Sequence, residues 1–214
     1  MKSDYTHINV LLDRTGSMQA IRDDVIGGYN AYVSELRSQP GTATLTLVQF
    51  DSQDPYEVIH RFVPLPNVPA LTDQTYVPRA STPLLDAMGR AINELDSSLH
   101  TLSPEARPAK VIMVIVTDGR ENASREFRLP QIAQMVREKT EKDGWEFVFL
   151  SADLGAIHEA GELGIDAARR LAFAKAAGGV SQAWDSLAKR TRDVRADPSR
   201  KFGFLKEDRK RPDD

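Results

Sequence analysis

The chain contains no cysteine. Disulfides and thiolate metal centres are therefore excluded, a composition that fits a reducing compartment. It also lacks an excess of positive charge: 28 Lys and Arg stand against 31 Asp and Glu, for a net charge of -3. That balance removes the electrostatic basis for nucleic acid as the main partner. Long hydrophobic runs are missing too. The longest purely apolar stretch, Val111 to Val116, is far short of the ~20 residues that span a bilayer, so no membrane is expected as a partner. The N-terminal Met1-Lys-Ser-Asp-Tyr-Thr-His7 has no apolar core of the kind a secretory leader needs, and the expected location is the cytoplasm. No Gly-x-x-x-x-Gly-Lys loop occurs, so an ATPase, if one is involved, must come from another chain.

What is present is ordinary for a globular protein. With 214 residues, 41% of them hydrophobic and 28% charged, the chain can bury one full core with little left for a second. Residues 1–195 read as one domain. Residues 196–214 read as a charged, loosely ordered tail, in which Phe202, Phe204 and Leu205 are able to dock.

Apolar positions alternate between strand and helix periods. Strands are expected at His7–Asp13, Thr42–Phe50, Tyr56–Leu65, Lys110–Asp118, Trp145–Ala152 and Leu171–Ala174. One helix is expected on Met18, Ile21, Val25, Tyr29, Tyr32 and Leu36, and a second on Leu85, Met88, Ile92, Leu95, Leu99 and Leu102. Others are expected at Leu129–Lys142, Ala156–Leu163 and Val180–Val194. This alternation implies an α/β, Rossmann-like fold: a mostly parallel central sheet with helices on both faces. Tyr56–Leu65 follows its neighbour through a short turn and reads as one antiparallel edge strand. Right-handed crossovers then bring Asp13 and Asp118 to the same rim.

Three segments on that rim carry oxygen ligands: Asp13-Arg-Thr-Gly-Ser17, Ser81-Thr-Pro83 and Thr117-Asp-Gly119. In the first, an acid and two hydroxyls alternate in a turn that Gly16 allows to be tight. Oxygen-only donors suit a hard divalent cation such as Mg2+. Each piece also has a plain reading. Asp13 and Ser17 could cap the first helix, and Thr82 could cap the second ahead of Pro83. Arg14, Arg79 and Arg120 could form a basic collar that selects an acidic ligand, or be solvated or paired with Glu121 and Asp86. Asp153 ends a strand on the same rim, within possible reach of the site. The four histidines, His158 among them, have no ligand spacing and read as surface or satisfied residues. Trp145 and Trp184 read as core. Asn122-Ala-Ser124 matches a glycosylation pattern by chance.

Together the three motifs, the second extended as Ser81-Thr-Pro-Leu-Leu-Asp-Ala-Met88, resemble in order and spacing the metal-ion-dependent adhesion site of von Willebrand factor type A domains. The stretch Thr117-Asp-Gly-Arg-Glu-Asn-Ala-Ser124 is most similar to small bacterial and phage proteins that are little more than a bare domain of this type. The resemblance covers about residues 5 to 195. It implies Asp13, Thr15, Ser17, Thr82 and Asp118 as metal ligands, with Mg2+ or Mn2+ as the ion. Thr15 departs from the usual serine. It further implies a recognition module, not a catalyst, whose metal keeps a position for a carboxylate from a protein partner.

An enzyme reading competes. Asp13-Arg-Thr-Gly-Ser17 also resembles the Asp-Lys-Thr-Gly-Thr of phosphoaspartate enzymes of the haloacid dehalogenase type, with Lys110 and Asp118 to Asn122 as partners. Against it, Lys110 begins the strand that Asp118 ends, and Asn122 stands where an acid is needed. A third reading is an assembly protein whose metal only stiffens the loops.

Overall fold

The computed structural model describes residues 2–175, 178–197 and 199–209. Its centre is a six-stranded sheet in the order β3-β2-β1-β4-β5-β6. The strands are β1 (Lys2–Asp13), β2 (Ala43–Phe50), β3 (Glu57–Pro64), β4 (Pro108–Thr117), β5 (Glu146–Ser151) and β6 (Arg170–Ala172). Among the described residues, β3 alone runs antiparallel, paired with β2 at the sheet edge; the other pairings are parallel. The expected α/β architecture is thus the one observed. The helices are α1 (Arg22–Arg37), α2 (Leu84–His100), α3 (Leu129–Lys142), α4 (Leu154–Glu162) and α5 (Gly179–Ala196). Among the described residues, no helix is long and apolar enough to cross a membrane.

Strand alternation sorts the core into two layers. Ile8, Val10 and Leu12 of β1, with Ile112, Val114 and Val116 of β4, face α1 and α5. Leu11, Met113 and Ile115 face α2, α3 and α4. Buried on both faces, β4 reads as a continuous apolar run. Each such side chain removed from water contributes about 1.5–3 kcal/mol, an upper figure for a compact unfolded chain. Trp184 of α5 packs closely on Gly28 of α1, where a Cβ would stand 2.2 Å from its Cδ1. Both tryptophans are core residues, as their sequence contexts suggest.

Met18 and Ile21 belong to a 3-10 turn, Gly16–Ile21, ahead of α1 rather than to the helix itself. His7 is fully buried in β1. Its Nδ1 lies 2.8 Å from the Thr44 hydroxyl, its ring stacks on Phe62 at 4.1 Å, and its Nε2 has no partner among the described residues. The expectation of a satisfied histidine therefore holds for only one of its nitrogens.

The region read as a loose tail is packed where it is described. Phe202 and Phe204 are buried against the α1/α5 layer, and Phe204 N–H donates to the Ala168 carbonyl at 2.7 Å. Arg190 of α5 pairs with Asp208 and Glu207, each at 3.1 Å. Two aromatics and an ion cluster outweigh the polar composition of the segment. Residues 210–214 lie outside the described residues.

Sheet order fixes where a ligand can sit. The chain leaves β1 for β2 and β3 on one side, then returns to start β4 on the other side. The carboxyl ends of β1 and β4 flank this switch point, the position at which open α/β sheets bind ligands.

Candidate metal centre

Asp13 ends β1, and its carboxylate is shielded from solvent. Oδ1 accepts the Thr15 backbone N–H at 2.7 Å, and Oδ2 accepts the Thr117 hydroxyl at 2.6 Å. Thr117 stands beside Asp13 because the β1–β4 register pairs Leu12 with Val116. Asp118 follows, its Oδ1 accepting the Ser17 hydroxyl at 2.5 Å. The Thr15 and Ser17 hydroxyls are 3.3 Å apart, and Thr82 Oγ1 donates to Thr15 Oγ1 at 3.4 Å. All five candidate residues fall in this one cluster. Gly119 backs it: a Cβ there would lie 3.9 Å from Ser17 Oγ and 4.0 Å from Thr82 Oγ1.

Backbone bonds stitch the three loops together. Gly16 N–H donates to Ala80 O at 3.1 Å, Arg79 N–H to Arg14 O at 2.7 Å, and Asn122 N–H to Thr82 O at 3.0 Å. Asn122 Oδ1 accepts the Thr82 N–H in return at 2.9 Å. From below, the buried Tyr76 hydroxyl donates to the Asp13 carbonyl at 2.6 Å. Burial, with the charges of Asp13 and Asp118, pushes that phenol well above its ordinary pKa, so it remains a donor.

None of the five clustered residues is itself a cation. Burial pushes the Asp13 carboxyl up to about 6, and the charge of Asp118 adds to the rise, while bonds from Thr117 and Thr15 oppose it. Two acids and three hydroxyls, with no nitrogen or sulfur among them, fit a hard divalent cation that would offset the cost of the buried charge. Among the described residues, no group of three or more His, Cys, Asp or Glu is placed to hold a metal. The hydroxyls would thus be part of any ligand set here.

Several finer expectations are corrected. Gly16 has no positive φ, and a Cβ there would meet Ala80 O at an ordinary 3.5 Å; the turn does not require glycine. Thr82 is not a helix cap, since Pro83 occupies that position without a side-chain bond. The amides at the start of α2 are instead bonded by the Glu121 carboxylate at Leu85 N (2.9 Å) and Ser124 Oγ at Asp86 N (3.0 Å). Asp13 and Ser17 cap nothing either, because Thr15 is the cap of the first turn and makes no side-chain cap bond.

The basic collar does not form as expected. Arg14 is buried, with Nε 2.6 Å from Asp51 Oδ2, and it also pairs with Glu57. Arg79 Nε lies 2.9 Å from the same Asp51 oxygen. Burial alone would raise the Asp51 pKa, but bonds from Arg14, Asp54 N–H, Arg79 and Gln53 N–H together hold it below the usual carboxylate value. Glu121 and Asp86 pair with none of these arginines. Glu121 accepts the N–H groups of Ala123 and Ser124, and Asp86 those of Arg125, Glu126 and Phe127. Arg120 stays exposed and bonds Asp153 at 3.1 Å; Asp153 caps α4 through Ala156 N at 2.9 Å and is not part of the cluster.

The motifs gave no role to Thr117 or Tyr76, nor to Lys175, whose Nζ lies 2.9 Å from Asp118 Oδ2. The signal for Lys175 was positional: it follows β6 on the carboxyl rim. A polar cleft of about 570 Å3 borders Thr82, lined in part by Ser52, Ser81, Asn122, Ser124 and Arg125.

The architecture is that of the von Willebrand factor type A fold. Among solved structures, the pilus adhesin SpaC of Lactobacillus rhamnosus GG superposes with a TM-score of 0.64 at 13% identity, over 91% of this chain and 30% of the adhesin. Proximal thread matrix protein 1 of the mussel byssus gives 0.60 at 13% identity, over 88% and 46% of the two chains. A form of that protein is described with a zinc-occupied metal-ion-dependent adhesion motif. A von Willebrand factor type A protein of Catenulispora acidiphila gives 0.57 at 10% identity, over 88% and 43%. The chain thus spans less than half the length of each of these proteins. No family model and no curated protein sequence matches it.

Proposed function

We propose that the chain is a metal-dependent protein-binding module in which Asp13, Thr15, Ser17, Thr82 and Asp118 hold Mg2+ or Mn2+. The observation that carries this reading is the convergence of two carboxylates and three hydroxyls from three separate loops into one cluster around a solvent-shielded Asp13. When bound, the ion would supply an electrophilic position for the carboxylate of a protein partner. The chain's own residues set the conditions. Thr117 and the Thr15 amide orient Asp13, and the buried Arg14–Asp51 pair fixes the loop that carries Thr15 and Ser17. The cleft beside Thr82 offers hydroxyl and amide groups to the partner's flanking backbone. The likeness to an adhesin and a matrix protein supports the choice of a protein partner.

The phosphoaspartate reading is disfavoured by geometry. Lys110 pairs with Glu146 and stands opposite Thr6, whereas Thr117 lies beside Asp13. Seven residues of strand, at roughly 3.3 Å each, put it about 23 Å from Asp13.

The test is an Mn2+ titration by calorimetry, paired with affinity capture from host lysate in Mg2+ and in EDTA. Saturable binding lost in Asp118→Ala, with a partner retained only in Mg2+, is the expected result. Wild-type affinity in that variant would refute the site. Identical captures with and without metal would favour the assembly reading.

A further inference from the structure

We infer that Lys175 is a built-in counter-cation for the site: its ammonium neutralises Asp118 in the metal-free protein, and a divalent ion must displace it. This inference rests on the metal-site reading above.

Lys175 lies in the loop between β6 and α5, which reaches the same rim as the ends of β1 and β4. Its Nζ is 2.9 Å from Asp118 Oδ2, the oxygen that Ser17 leaves free by bonding Oδ1. The two partners differ in exposure. The Asp118 side chain is at 0% and that of Lys175 at 47%. The acid therefore receives little compensation from water, while the lysine can leave for solvent at little desolvation cost. An ammonium on a flexible four-carbon stem is a mobile point charge, suited to occupying and vacating one position.

The charge count favours exchange. The cluster holds two carboxylates, Asp13 and Asp118, and Lys175 brings one ammonium to them. A divalent ion brings twice that charge, but it would repel an ammonium bonded to the same carboxylate. The two cations are thus alternatives at Asp118. The lysine keeps the empty site folded and lowers its apparent affinity, so that the ion is held only above a threshold concentration.

Calorimetric Mn2+ titration and thermal melting of the wild type, Lys175→Met and Lys175→Arg provide the test, with Asp118→Ala as the control for loss of the site. Lys175→Met is expected to bind Mn2+ about tenfold or more tightly than the wild type, and to melt lower in EDTA. Saturating Mg2+ should erase that stability deficit. Lys175→Arg should behave close to the wild type, because the charge is kept. Equal Mn2+ affinities in the wild type and Lys175→Met would overturn this inference and leave the metal site standing. Absence of Mn2+ binding in every variant would overturn both.

Discussion

The hydroxyl of Thr117 donates to Asp13 Oδ2 at 2.6 Å across the central strand pair, and it is the side-chain bond that holds the deepest acid of the site in place. It follows from register: Leu12 opposite Val116 puts the two residues side by side at the strand ends. Thr117→Val keeps the shape and removes the donor. A buried carboxylate oxygen left without its partner costs about 1–3 kcal/mol. Urea denaturation in EDTA should show a loss of that size, with Mn2+ affinity reduced as well. Unchanged stability would mean that the bond contributes nothing to holding Asp13.

The Arg14–Asp51 pair is a second structural dependence. Asp51 receives two guanidinium groups while fully shielded from solvent. Asp51→Ala would leave the buried Arg14 short of its main partner, a change that costs about 3–5 kcal/mol. The loop carrying Thr15 and Ser17 begins at Arg14, so weaker Mn2+ binding should accompany the lower melting temperature. A variant that melts like the wild type would show that Glu57, with Gln49 Oε1 accepting from Arg14 Nη1 at 3.4 Å, suffices to hold Arg14.

Acid sensitivity should come from His7. Burial pushes its pKa down from 6.5 to about 3. The folded protein keeps the ring neutral while the unfolded chain protonates it near 6.5, so its contribution is complete above pH 6.5 and is lost as pH falls toward 3. His7→Gln retains a partner for Thr44 and removes the titration. Its stability should fall less steeply between pH 6.5 and 4 than that of the wild type, as followed by chemical denaturation. Parallel profiles would assign the acid loss elsewhere.

Helix packing gives a test away from the site. Gly28→Ala would place a methyl group into the Trp184 indole. Overpacking of this kind costs about 1–3 kcal/mol, here with no change in Mn2+ affinity. A stability equal to that of the wild type would indicate that α1 and α5 can separate freely.

Much of this was legible in the chain. Period-3.6 apolar spacing located α1 and α2, and the unbroken Val111–Val116 run marked a strand covered on both faces. The site segments were legible because their residues sit at strand ends on one rim, a consequence of topology alone. What could not be read were pairings between distant loops. Arg14 and Arg79 looked like surface cations because nothing local shows that Asp51 is buried between them. Glu121 and Asp86 looked like ion-pair partners, but backbone amides claimed them first. Phe202 and Phe204 dock as their apolar character allowed, Leu205 stays exposed, and the Arg190–Asp208 pair that fastens the segment was not legible. Lys175 belongs to no motif, and only the fold brings it to Asp118.

Whether this cluster holds a divalent ion is decided by anomalous diffraction from crystals grown with Mn2+. One strong peak is expected among the side-chain oxygens of Asp13, Thr15, Ser17, Thr82 and Asp118, with Lys175 turned away from Asp118. A structure at saturating Mn2+ with no peak there, and the Lys175–Asp118 pair intact, would contradict the metal-site reading.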